Sequence, residues 1–269
     1  SEAVLFNNRG KAKYLTNDVT NAIKDFDKAL NIDPSYTKAL ENRADAKYQL
    51  EDWAGAAADL KKIIDGGNAN KELTEKLGIA YYKQNDFANA SAILSKALQQ
   101  GAKSQELYTM LGMSYVNLGD NKSAIPHLTN AVNSGDVGKE VYYALGAARY
   151  EGKDYKGAVD ALNKAIENGT HIMDAFLQRG NAMYILKDEE GAKPDLEKAI
   201  SMGADDFDAF YALGNMAFKV NDYETAIVQY DKAIAKGTED AIIYNNRGKA
   251  KLALKQFEAS IVDFDKALS

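Results

Sequence analysis

The sequence has no cysteine, three prolines, one tryptophan and two histidines in 269 residues. Without cysteine there can be no disulfide framework, thiol nucleophile or thiolate-based zinc site. No run of eighteen or more apolar residues occurs, so membrane insertion by a helix is not expected. Blocks of five or six basic residues are missing, and the formal net charge is −6. Neutralising a phosphate backbone needs a basic face, so nucleic acid is not an expected partner. Ser1-Glu2-Ala3-Val4 is not a basic region before a long apolar core, so no uncleaved signal peptide is expected. A soluble chain in the cytoplasm and one exported after removal of a signal both fit this N-terminus.

What is present is periodic. Small residues recur every 34 positions at Gly10, Ala44, Gly78, Gly112, Gly146, Gly180, Gly214 and Gly248. A second ladder runs Ala22, Ala56, Ala90, Ala124, Ala158, Ala192, Ala226 and Ser260. Bulky residues follow four positions later, at Phe26, Leu60, Leu94, Leu128, Leu162, Leu196, Tyr230 and Phe264. Antiparallel helices approach closely where small side chains meet, and larger ones interlock around that contact. Each period therefore predicts helix A, a tight turn and helix B. For residues 71–104 the helices are expected near 71–84 and 87–100. Gly67, Gly101, Gly135, Gly169, Gly203 and Gly237 are placed to end B helices in the left-handed conformation. Pro126 and Pro194 share one repeat position, read as the start of helix B, where a missing N–H costs least.

The pattern, for example Tyr211-Ala212-Leu213-Gly214, Ala226, Tyr230 and Ala233, closely resembles the tetratricopeptide repeat. The resemblance covers residues 3–269 and implies an all-α, right-handed superhelical α-solenoid of eight 34-residue helix-turn-helix repeats. The expected repeats are 3–36, 37–70, 71–104, 105–138, 139–172, 173–206, 207–240 and 241–269, forming a single array over 1–269. The family's closing proline occurs only at Pro34, and glycine caps replace it elsewhere. The family also implies that helix A of each repeat lines a concave groove. Its carboxylate clamp needs a lysine at the fifth helix-A position, and no repeat has one there, so that clamp is not expected.

Nothing in the sequence converges on a reaction. His127 and His171 occupy different repeat positions without a carboxylate at ligand spacing, so no metal, cofactor or catalytic residue is expected. One charged pattern stands out. The seventh helix-A position is arginine in four repeats (Arg9, Arg43, Arg179, Arg247), and the same four carry aspartate before the bulky helix-B residue (Asp25, Asp59, Asp195, Asp263). Leucine takes the arginine position in the other four. A guanidinium in a core leucine's place needs a carboxylate, which predicts four Arg–Asp contacts within repeats.

The expected function is a non-enzymatic protein-protein interaction scaffold that holds an extended peptide or a helix in the concave groove. The alternatives are a structural, self-associating array and the interaction part of a longer protein of the same kind. Groove-facing positions on helix A lie on one stripe: Met113, Val116, Tyr143, Tyr150, Leu177, Tyr184, Tyr211 and Phe218, with the amides of Asn181 and Asn215. Glu140, Asp174 and Asp208 form an acidic row that suits helix N-termini and would attract basic ligand residues. The expected partner is a protein or peptide across repeats four to seven. Self-association through the terminal repeats is the other expected interaction, because Val262, Phe264 and Leu268 belong to a face suited to a further helix.

Overall fold

A computed structural model describes residues 1–269 as sixteen α-helices without a strand. The chain divides into two compact units, Ser1–Val137 and Gly138–Ser269. The first contains α1 (Glu2–Leu15), α2 (Val19–Ile32), α3 (Thr37–Gln49), α4 (Trp53–Asp65), α5 (Lys71–Lys83), α6 (Phe87–Gln99), α7 (Gln105–Asn117) and α8 (Asn121–Ser134). The second contains α9 (Lys139–Glu151), α10 (Tyr155–Glu167), α11 (Met173–Ile185), α12 (Glu189–Ser201), α13 (Phe207–Lys219), α14 (Tyr223–Ile234), α15 (Ala241–Ala253) and α16 (Phe257–Leu268). Odd-numbered helices are A, even-numbered ones are B, and the helix-turn-helix repeats make an α-solenoid. The expected helices of residues 71–104 appear as α5 and α6, within a residue of their expected ends.

The small-residue ladders are contact surfaces. A Cβ added to Gly146 would fall 2.6 Å from Leu162 Cγ, and one added to Gly214 would fall 2.7 Å from the Tyr230 ring. The facing alanines Ala22, Ala56, Ala90, Ala124, Ala158, Ala192 and Ala226 are fully buried. Neighbouring A helices touch, α1 with α3 and α5 with α7 in the first unit and α9 with α11, α11 with α13 and α13 with α15 in the second, while B helices do not approach one another comparably. Closer spacing along the A side puts the A helices on the inner wall of each unit.

Every A-to-B turn passes through one left-handed residue: Asn17, Glu51, Asn85, Gly119, Lys153, Lys187, Asn221 and Lys255. The next residue is aspartate in the first seven repeats. Six of those aspartates cap helix B by accepting a backbone N–H, as Asp154 Oδ1 does from Gly157 at 3.0 Å. Five of the six expected glycine caps are left-handed, with φ between 85° and 104°.

Gly135 is the exception. Its φ of 160° and ψ of −169° are extended, so α8 ends without a left-handed cap, close to the boundary between the two units. The proline expectation also needs correcting. Pro126 and Pro194 are the sixth residues of α8 and α12, beyond the first turn. Their missing N–H groups leave the carbonyls four residues earlier without the usual helical donor. Both prolines are exposed, which lets water satisfy those carbonyls.

The four Arg–Asp pairs are present. Arg9 Nε and Nη2 bond Asp25 at 2.8 and 2.7 Å, and Arg43 bonds Asp59 at 2.8 and 2.6 Å. Arg179 and Arg247 hold Asp195 and Asp263 in the same bidentate way. Three of these arginines also reach back through Nη1 to the previous repeat: Arg43 to Asp27, Arg179 to Asn163 and Arg247 to Asp231. One guanidinium thus closes its own hairpin and joins two repeats.

Candidate functional site

The expected stripe is divided between the units. Met113 and Val116 lie half-buried on α7 of the first unit, and the remaining residues belong to the second. In the second unit α9, α11 and α13 carry Tyr143, Leu177 and Tyr211 at their fifth positions, all half-buried on the inner wall. Tyr150, Tyr184 and Phe218 lie two turns further along these helices, also half-buried. Glu140, Asp174 and Asp208 stand exposed in the first turns.

The two sets of aromatics are held differently. Tyr150 packs edge-on against Tyr155 with centroids 5.8 Å apart, and Phe218 packs against Tyr223 at 5.4 Å. Each pair couples the end of an A helix to the start of its own B helix. The hydroxyl of Tyr150 is bonded by Asn181, and that of Tyr184 by Asn215 Nδ2 at 2.9 Å. Burial pushes both phenols above their ordinary pKa, and the amide bonds pull them back by less. Tyr143 and Tyr211, by contrast, make no hydrogen bond through their hydroxyls, although Tyr211 stacks on Phe207 at 5.9 Å.

The two amides are engaged inside the protein. Asn181 is 5% exposed and also donates to Asp206 at 3.3 Å. Asn215 donates to Tyr184 and accepts from Tyr230 Oη at 2.8 Å and from Asn246 Nδ2 at 3.3 Å. These bonds tie successive repeats together, so both amides support the wall and hold its tyrosines in place.

Electrostatically the wall is acidic. Asp208 is solvent-exposed in area, yet the surrounding wall withdraws water from it and raises its carboxyl pKa; the Asp206 carboxylate adds to the rise. Burial likewise raises the Tyr143 phenol, with further contributions from Asp174 and Glu151. Asp206 and Phe207 are wall residues that the stripe did not include. Their signals were readable: Asp206 is the N-cap of α13, accepting from Ala209 N at 2.9 Å, and Phe207 precedes Tyr211 by one helical turn. No group of three or more acidic or histidine side chains is arranged to hold a metal ion. None of the helices is long and apolar enough to cross a membrane.

Family models described as tetratricopeptide repeat match residues 3–36, 41–105 and 109–171, and one described as TPR repeat matches 214–255. No protein of curated function matches the sequence. Among solved structures, YrrB, described as a TPR protein with an unusual peptide-binding site, is 24% identical with a TM-score of 0.55. That match covers 70% of this chain and 96% of YrrB. The C-terminal part of a TPR repeat-containing protein from Cytophaga hutchinsonii is 21% identical, with a TM-score of 0.51 over 85% of this chain and 94% of that one. MamA (AMB-1) is 20% identical, with a TM-score of 0.54 over 64% of this chain and 95% of its own. At these identities the likeness is one of fold.

Proposed function

The chain belongs to the tetratricopeptide repeat family and is a protein-interaction scaffold, and from that premise we propose that the inner wall of its second unit holds an extended peptide or a helix of a partner protein. Proteins of this family are generally non-enzymatic scaffolds. The observation that carries the proposal is the contrast between the two sets of aromatics. The hydroxyls of Tyr150, Tyr184 and Tyr230 are tied into bonds between helices, whereas those of Tyr143 and Tyr211 have no hydrogen-bond partner within the chain, although the Tyr211 ring packs on Phe207 and Tyr230. Aromatic side chains on a concave surface contribute large contact area at low entropy cost. Leu177 lies between them in the repeat order and supplies an apolar step. Glu140, Asp174 and Asp208 favour basic residues in the ligand, which would relieve the crowding of Asp206 and Asp208. Met113 and Val116 extend the same reading to the first unit's wall. YrrB, of the same fold, is described as having a peptide-binding site.

The test starts from peptides selected from a random display library against the immobilised protein, with affinities measured by calorimetry. Replacing Tyr143, Leu177 and Tyr211 by alanine, singly and then together, should weaken binding stepwise, with the triple change costing at least about a hundredfold. Binders should be enriched in lysine and arginine and weaken as salt is added. Unchanged affinity in the triple variant, with loss on substitution of exposed B-helix residues such as Lys164 and Lys198, would place the site elsewhere.

A further inference from the structure

One position on the B helices points outward throughout the chain. It lies two residues after Ala22 in α2, recurs every 34 residues, and is exposed in all eight repeats. The exposure therefore belongs to the outer side of a hairpin, whatever lies before or after it. In the second unit three successive members are apolar: Pro194 on α12, Val228 on α14 and Val262 on α16, with the valines 51% and 66% exposed. Each is an unfavourable choice inside an exposed helix. Valine loses rotamer freedom there, and proline removes a helical hydrogen bond. Lysine, alanine or aspartate serves at the same position in Lys24, Ala58 and Asp160.

Four residues before this position the same three helices carry Glu190, Glu224 and Glu258, and four residues after it Lys198, Lys232 and Lys266. All six are exposed and none forms an ion pair within the chain, while Lys232 rests over the Phe210 ring at 5.5 Å. A spacing of four keeps the three residues of each helix on one face. The helices run side by side in register. Arg247 holds Asp231 of α14 at 2.6 Å and Asp263 of α16 at 2.5 Å, and Ile200 of α12 packs on the cluster that contains Ala226 and Tyr230 of α14. The outer side of repeats six to eight thus carries three rows, one acidic, one apolar and one basic. Attraction to the helix ends accounts for the glutamates and lysines, which lie in first and last turns, but not for the apolar row between them. Helix α10 has Lys156, Asp160 and Lys164 at these positions, so the pattern starts at α12.

We infer that this surface pairs with the same surface of a second copy, across a two-fold axis that runs along the apolar row. Rotation about that axis brings the acidic row onto the basic row and the apolar row onto itself. Each B helix then lies antiparallel on its own counterpart. Val228 meets Val228 of the second copy at the centre, and Glu224 faces Lys232 of the second copy, with the reciprocal pair across the axis. A two-fold along the helices would instead set glutamate on glutamate, and the charges oppose it. An isologous contact of this kind uses both surfaces and closes at the dimer. The inner wall of the unit takes no part and stays open to a ligand.

The experiment is sedimentation equilibrium of the whole chain over roughly 1 µM to 1 mM, the range in which such an interface would saturate. The wild type should rise from the 29.4 kDa monomer mass towards twice that mass and no further, and should dissociate as salt is added. Val228→Asp places like charges at the axis and should leave the protein monomeric, with its helical signal and melting profile kept because the side chain is exposed. Glu190→Lys and Lys198→Glu should each weaken association at least about tenfold, since each turns two attractions of the dimer into repulsions. Combined in one chain, the two changes should restore it to within about threefold of wild type, because the pairs re-form across the axis with their signs exchanged. A wild type that stays monomeric throughout overturns the inference. So does a combined variant that associates no better than the single ones, since the two rows would then not face each other.

Discussion

Replacing Arg179 by leucine tests how the charged pairs sit in an otherwise apolar core. Arg179 holds Asp195 through Nε and Nη2 at 2.5 and 2.7 Å, with side-chain exposures of 17% and 8%. The other three aspartates of the series also receive a lysine (Lys13, Lys47 and Lys251), so Asp195 is the one that relies on its arginine alone. Removing one partner of a buried pair strands the other charge, and Arg179→Leu should therefore destabilise the second unit by about 3 kcal/mol. Repeat three shows what the site accepts without charge, since Leu77 and Ile93 occupy the two positions there. Adding Asp195→Ile to Arg179→Leu should return stability to within about 1 kcal/mol of wild type. The bond from Arg179 Nη1 to Asn163 is lost in both variants and cancels in the comparison. Urea denaturation followed by circular dichroism gives the overall change. Hydrogen exchange resolved to α11 and α12 is needed beside it, because repeat arrays open locally. If the single and double variants cost the same, the pair is not the reason these two residues occur together.

Glu51, Lys153, Lys187 and Lys255 occupy left-handed turn positions where Gly119 stands in repeat four. Changing any of them to glycine should raise stability by about 0.5–1 kcal/mol in thermal or urea melts, and a loss would mean that the side chain contributes more than its strain. Gly214→Ala should cost about 1–2 kcal/mol, since the new methyl meets the Tyr230 ring at 2.7 Å. A Tyr230→Leu background, which copies Ala44 opposite Leu60, should reduce that cost. His127 stacks on Tyr115 at 5.7 Å with Nδ1 buried and unbonded, and burial holds its pKa below the ordinary 6.5. The unfolded chain therefore takes up this proton first, so stability should fall as pH drops below 6.5 and level off beneath the folded value. His127→Ile should remove that slope. It should leave the separate loss below pH 3.8, where Asp25, held down to about 2 chiefly by Arg9, takes up its proton.

The sequence alone determined what lies within one repeat. The spacing of Gly146 from Leu162, or of Arg179 from Asp195, places those side chains on facing surfaces of one hairpin, because a helix of fixed pitch and a short turn leave little choice. Five glycine caps and the fifth-position residues of the wall were legible for the same reason. What lies between repeats was not. Whether Asn181 and Asn215 offer their amides to a ligand or spend them on Tyr150, Tyr184 and Tyr230 depends on how each hairpin is rotated against the next. A 34-residue period contains no statement of that rotation. The second bond of Arg43, Arg179 and Arg247 to the preceding repeat is likewise a product of stacking. Gly135 shows the limit most plainly: it keeps the register of the other caps, yet it is extended, because glycine permits either backbone conformation and only the packing around it selects one.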